Sequence, residues 1–147
     1  MDHEFFMRRA IEMGKKNPKF AFGAVVVERG TQHILAEGVN NASANPTHHG
    51  EIVAINDCAT NHPKIDWSGL ALYTTAEPCP MCQSAILWAG IGNVYYGTSI
   101  PTLQRFGWNQ IDIRAEEVGR RAGFAKVSLT GGILEADCDD LFRRPPG

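Results

Sequence analysis

The chain has 147 residues, with 44% hydrophobic and 20% charged residues and a formal net charge of −2. These values describe a single globular domain over residues 1–147, large enough to bury a core without disulfide staples, and no apolar run approaches the ~20 residues of a membrane-spanning helix. The slight acidity and the absence of a dense Lys/Arg run argue against a nucleic-acid partner and favour a small molecule.

In chain order, residues 2–16 carry Phe6, Ala10 and Met13 at helical spacing and end at Gly14 and Asn17-Pro18, which predicts a first helix. Ala21 to Val27 and Ile34 to Glu37, separated by a Gly30 turn, read as a β-hairpin. Asn40 to Thr47 is loop, and Ile52, Ile55 and Ala59 mark one face of a second helix that stops before His62-Pro63. Leu70 to Thr75 reads as a third strand, followed by a helix from Pro80 to a Gly90 cap and a strand at Val94 to Tyr96. Gly97 to Asp112 is expected as an irregular polar and aromatic stretch. A short helix to Arg121, a strand near 126–129, a last helix near 134–142 and a loose tail at 143–147 complete the chain. Alternating helices and strands predict an α/β fold with a mixed sheet covered on both faces. The acidic start Met1-Asp2-His3-Glu4 lacks the pattern of a secretory signal, which points to the cytoplasm.

Two short segments carry chemistry. His49-Gly50-Glu51 stands at one predicted helix start, and Pro78-Cys79-Pro80-Met81-Cys82 at another, thirty positions further on. Cysteines at i and i+3 on a helix's opening turn face one side, where free N–H groups favour thiolates. Cys79, Cys82 and His49 thus form a candidate zinc triad whose fourth position is left open for water, one zinc per chain. Glu51, two residues beyond His49, is the candidate general base and proton shuttle. A lone C-x-x-C also fits a redox pair, and a structural zinc could draw a fourth ligand from His48, Cys58, His62 or Cys138. The order and spacing of H-G-E and P-C-x-x-C favour the catalytic reading, with His48 in a loop role and Cys58 and Cys138 as core thiols.

The pair of segments matches the zinc-deaminase signature H-x-E…P-C-x-x-C, and the chain resembles the cytidine deaminase-like superfamily. Phe22-Gly23-Ala24-Val25, Ala36-Glu37-Gly38-Val39-Asn40 and Tyr73-Thr74-Thr75-Ala76-Glu77-Pro78 extend the likeness over nearly the whole length. The branch it is most similar to contains guanine deaminases, fungal cytosine deaminases and tRNA adenosine deaminases. The resemblance implies a three-layer α/β/α sandwich around a five-stranded mixed sheet, in a homodimer. It further implies that Asn40 hydrogen-bonds the ring, Phe22 packs on it, the backbone near Ala24 and Ala76 touches its polar groups, and Trp88 stands where guanine deaminases have a tryptophan. Trp108, Asn109 and Asp112 occupy the stretch in which that branch reads a purine, although amides stand here where it has Asp.

The implied reaction is hydrolytic deamination of a nucleobase or nucleoside with release of ammonia and no organic cofactor. A guanine-type purine is favoured. Isocytosine, cytosine or triazine rings are alternatives, a tRNA substrate is disfavoured by charge, and a catalytically idle zinc-binding dimer partner is the non-enzymatic reading.

Overall fold

A computed structural model describes residues 1–143. Helix α1 (His3–Gly14) opens on Asp2, whose side chain accepts from the Phe5 N–H at 3.0 Å and so satisfies one free helix-start donor. Strands β1 (Gly23–Glu28) and β2 (Ile34–Val39) form the expected hairpin. Then follow α2 (Gly50–Asn61), β3 (Leu70–Ala76), α3 (Pro80–Ala89) and β4 (Asn93–Thr98). The chain continues through α4 (Ile100–Arg105), α5 (Ala115–Arg120), β5 (Ser128–Thr130) and α6 (Glu135–Phe142).

The five strands form one mixed sheet in the order β2-β1-β3-β4-β5, antiparallel across β2-β1-β3 and parallel across β3-β4-β5. Side chains alternate across it, as the two-residue repeat of a strand requires. Val25, Val27, Ala71 and Tyr73 pack with Phe6, Met7 and Ala10 of α1 and with Cys138 of α6. Ala24, Val26, Leu70 and Leu72 pack on the opposite face with Ala54 and Cys58 of α2 and Ile86 of α3. Helices therefore cover both faces, and the architecture is the α/β/α sandwich with a five-stranded mixed sheet.

Two expectations need correction. The stretch 97–112 is not irregular throughout: β4 runs on to Thr98, and α4 starts on Ser99, whose hydroxyl accepts from the Thr102 N–H at 3.2 Å. The last strand is short and begins two residues later than expected, at Ser128. The expected tail lies outside the described residues except for Arg143, which pairs with Asp140.

Strand direction decides where a site can form. Because β1 runs antiparallel to β3, its first residues lie beside the last residues of β3, with Ala24 opposite Thr74. Because β2 runs antiparallel to β1, its end also returns there, with Val39 opposite Gly23. Phe22, Asn40 and the turn after Ala76 are thus gathered at one end of the strands β1, β2 and β3, with the first turns of α2 and α3 beside them.

Candidate active site

His49 and Cys79 occupy equivalent positions: each is the N-cap residue of its helix, in extended backbone geometry, and neither uses its side chain to cap. The imidazole and thiol are left to act elsewhere. His49 Nδ1 lies 3.5 Å from Cys79 Sγ and 3.6 Å from Cys82 Sγ, and the three donor atoms lie within 4.8 Å of one another. Donors at the usual Zn–S and Zn–N distances of a tetrahedral centre would be separated by about 3.6 Å. The spacing therefore fits one zinc ion held by His49, Cys79 and Cys82.

The thiols have the electrostatics of a cation site. Cys79 is pulled down to about 4, chiefly by the hydrogen bond from Cys82 and also by His49, against the opposing effect of burial. The same bond, followed by burial, pushes Cys82 well above the usual thiol range. One proton is thus shared by two sulfurs, and a divalent cation is the natural replacement for it. His49 is itself raised, mainly by its bond to Cys79.

Glu51 is buried at the second position of α2. Burial raises its carboxyl above the ordinary range, and the Thr74 hydroxyl, donating to Glu51 Oε1 at 2.6 Å, opposes that rise. Gly50 is forced by its surroundings: a Cβ there would stand 2.2 Å from the Phe22 carbonyl oxygen. That close approach lets α2 start against the β1 edge and brings Glu51 to Thr74 on β3.

A cavity of about 270 Å³ adjoins this centre and is lined by His49, Glu51 and Cys79 together with Phe22, Asn40, Trp108 and Asn109. Seven of the residues singled out from sequence as base, substrate contacts or metal ligands are joined there by Gln110, one of the amides noted in that stretch, and by Phe20, Ala42 and Glu77, which sequence reasoning missed. Trp108 is fixed by its indole N–H, which donates to the Phe142 carbonyl at 2.8 Å, and by edge-on packing against Phe22 and Phe142. Asn40 Oδ1 accepts from the Ala42 N–H at 3.1 Å, and Asn40 Nδ2 makes no hydrogen bond among the described residues.

The other expected contacts lie elsewhere. Trp88 is 76% exposed and stacks on Phe124 at 4.4 Å, because six residues beyond Cys82 it projects about 120° away around the helix axis. Asp112 points to Gln104, whose amide donates to it at 3.2 Å, and Gln110 lines the cavity in its place. Ala24 is flanked by strands on both edges, so its backbone groups belong to the sheet. Ala76 is buried behind the cavity wall with Leu103 and Trp108.

Glu77 holds this wall together. Its buried carboxylate accepts from the Ile100 N–H at 2.9 Å, the Ala115 N–H at 2.9 Å and Arg114 Nε at 3.0 Å. It thereby ties the starts of α4 and α5, which bracket Trp108, Asn109 and Gln110, to a point two residues before Cys79.

Two sulfurs, one imidazole and a buried carboxylate beside a ring-sized cavity make a hydrolytic zinc centre. Residues 1–98 match the family described as the cytidine and deoxycytidylate deaminase zinc-binding region, and the chain belongs to that family. It is 36% identical over 142 residues to a guanine deaminase of Bacillus subtilis (strain 168), covering 88% of each chain. It is 34% identical over 142 residues to a tRNA-specific adenosine deaminase of Rickettsia bellii (strain RML369-C), covering 93% of this chain and 94% of the relative. A solved guanine deaminase from Nitrosomonas europaea shares the fold with a TM-score of 0.83 at 24% identity, over 95% of this chain and 82% of that one. The protein is accordingly a zinc-dependent hydrolase acting on C–N bonds, of the class that deaminates nucleobases.

Proposed function

We propose that the protein deaminates an aminated heterocycle presented as a free nucleobase or nucleoside, with a guanine-type purine favoured. The observation that carries this reading is the sharing of one cavity by His49, Cys79 and Glu51 with Phe22, Asn40, Trp108 and Asn109. Zinc held by His49, Cys79 and Cys82 supplies a Lewis acid that lowers the pKa of water. Glu51, desolvated and oriented by Thr74, accepts the proton from the attacking water and returns protons to the ring nitrogen and the departing amine.

Phe22 and Trp108 give the ring apolar surfaces. Asn40 Nδ2 donates to a ring acceptor, since its Oδ1 is engaged by Ala42. Asn109 and Gln110 each offer a donor and an acceptor, which suits the mixed edge of guanine. Two wider features of the reading have support of their own. Trp88, Phe124 and Ile113, exposed around one shallow cavity, suit a homodimer contact, and four free cysteines suit a reducing compartment such as the cytoplasm.

Ammonia release should be measured for wild type and Glu51→Gln with guanine, cytosine, isocytosine, an aminotriazine and the matching nucleosides. The expected result is turnover with guanine or guanosine that falls at least ~100-fold in the variant. No turnover with any ring by the zinc-loaded wild type, or equal turnover by both proteins, overturns the reading.

A further inference from the structure

One wall of the ring-sized cavity is held from the far end of the chain. Trp108 is buried, and a buried indole N–H must find an acceptor or forfeit a hydrogen bond. It finds one in the Phe142 carbonyl, at 2.8 Å and 34 positions away. That carbonyl is available because α6 ends at Phe142, and the last four carbonyls of a helix have no partner within it. Helix end and indole thus satisfy each other.

Side chains reinforce this contact. The Phe142 ring is fully buried and lies edge-on to Trp108 with ring centres 5.7 Å apart, and its centre is 4.7 Å from that of Phe22. Arg143 covers the same region, its guanidinium carbon 5.3 Å from the centre of the Phe106 ring, two residues before Trp108. Trp108 and Phe22 line the cavity, whereas Phe142 is not among the lining residues. It supports both aromatic walls from behind. The docking of α6 is secured at a second point, where the Thr98 hydroxyl donates to Asp139 at 2.6 Å and the Thr98 carbonyl accepts from the Glu77 N–H at 2.7 Å. Where the chain enters α6, Leu134 adopts a left-handed conformation at φ 50°, which is unfavourable for a residue with a Cβ and persists only when the surroundings over-determine it. The contacts of α6 supply that constraint.

We infer that Phe142 is a positioning residue for the heterocycle: it holds Trp108 and Phe22 at the spacing a flat ring needs, so the docking of α6 sets ring affinity. The chemistry at the metal is carried elsewhere. His49, Glu51, Cys79 and Cys82 belong to the starts of α2 and α3, on one face of the sheet, and α6 packs on the opposite face beside α1. The inference rests on the deaminase reading above and adds to it a residue that lies outside the cavity.

The test compares zinc-loaded wild type with Phe142→Leu, Trp108→Phe and the double variant, on the ring that wild type turns over fastest. Ammonia release gives kcat and KM separately, and calorimetric titration of the same substitutions in a Glu51→Gln background gives ring binding without turnover. Phe142→Leu keeps an apolar side chain in a buried place and loses the aromatic edge, whereas Trp108→Phe removes the indole N–H and leaves the sequence of α6 unchanged. The expected result is a KM and a Kd about threefold to tenfold above wild type in each single variant, the range an aromatic pair corresponds to, with kcat within about twofold. The double variant should lose little more than either single one, because both act through one contact. A fall in kcat at unchanged KM, or loss of zinc from Phe142→Leu, overturns the inference, since α6 would then serve the chemistry or the metal. Unchanged KM and Kd in the single variants overturn it as well, and fully additive effects in the double variant overturn the route through Trp108. Each of these results leaves the deaminase reading standing. Absence of ammonia from wild type with every ring overturns that reading and the inference with it.

Discussion

Thr74→Val is the most direct probe of the proton-handling side of the site. The substitution keeps the shape of a fully buried side chain and removes the hydroxyl that donates to Glu51 Oε1 at 2.6 Å. A hydrogen bond to an ionised group contributes about 1.5–3 kcal/mol, and one pKa unit corresponds to about 1.36 kcal/mol. Burial raises the Glu51 carboxyl and the Thr74 hydroxyl lowers it, so losing the hydroxyl moves it further up. Glu51 acts first as a carboxylate, so the acid limb of kcat/KM should move to higher pH while the plateau changes less. Stability follows the same sign. A carboxyl raised in the folded state contributes stability that is complete below its unfolded pKa and is lost as pH rises through the folded pKa. The metal-free variant should therefore lose more stability, relative to wild type, at pH 8 than at pH 5. The assay is a pH profile of ammonia release at verified zinc content, paired with thermal unfolding of the apoprotein. An unshifted acid limb in a variant that retains about one zinc per chain would refute the assigned role of Thr74.

Glu77→Gln should destabilise the protein by at least about 2 kcal/mol in denaturant unfolding, because an amide NH2 would face N–H donors of Ile100, Ala115 or Arg114 where a carboxylate oxygen now accepts. Its KM should also rise as the segment carrying Trp108 loosens, whereas Arg114→Gln, at a half-exposed partner, should cost about 1 kcal/mol or less. Thiol alkylation followed by mass spectrometry should show Cys79 reacting first once zinc is stripped, even near pH 6, since its thiol is pulled down to about 4. Cys138, which burial pushes up to about 12, and Cys58, raised by the same cause, should remain unmodified in the folded protein. Rapid modification of either core thiol ahead of Cys79 would contradict the burial assigned to them.

The metal centre was legible in the sequence because all of its geometry is local. Cys79 and Cys82, three apart at the start of α3, face one side by spacing alone, and Glu51 follows the N-cap His49 by two positions at the start of α2. The sheet was legible for the same reason, through short β-rich runs bounded by turns. The boundary of α4 was not, although its signals were present: Ser99 as cap, Pro101 in the first turn and Gly107 in left-handed geometry after the last turn. With only six residues, its apolar spacing is Ile100 and Leu103, too few to establish a period against the polar residues around them. Trp88 was expected at the ring from its place in a guanine deaminase-like segment, whereas its six-residue offset from Cys82 turns it about 120° away on α3. Glu77 and Arg114 stand 37 positions apart, and no local rule joins them. A charged residue between Ala76 and Pro78 in an otherwise apolar approach to the metal was the one available clue, because a carboxylate buried there must find donors. It finds them at the starts of α4 and α5, so the turn that carries Cys79 and the segment that carries Trp108 are one hydrogen-bonded unit. The residues that hold the metal are therefore written locally, whereas Trp108, Asn109 and Gln110 reach the cavity only through the chain's return along 98–115, where on the proposed reading selectivity can change without disturbing the zinc ligands.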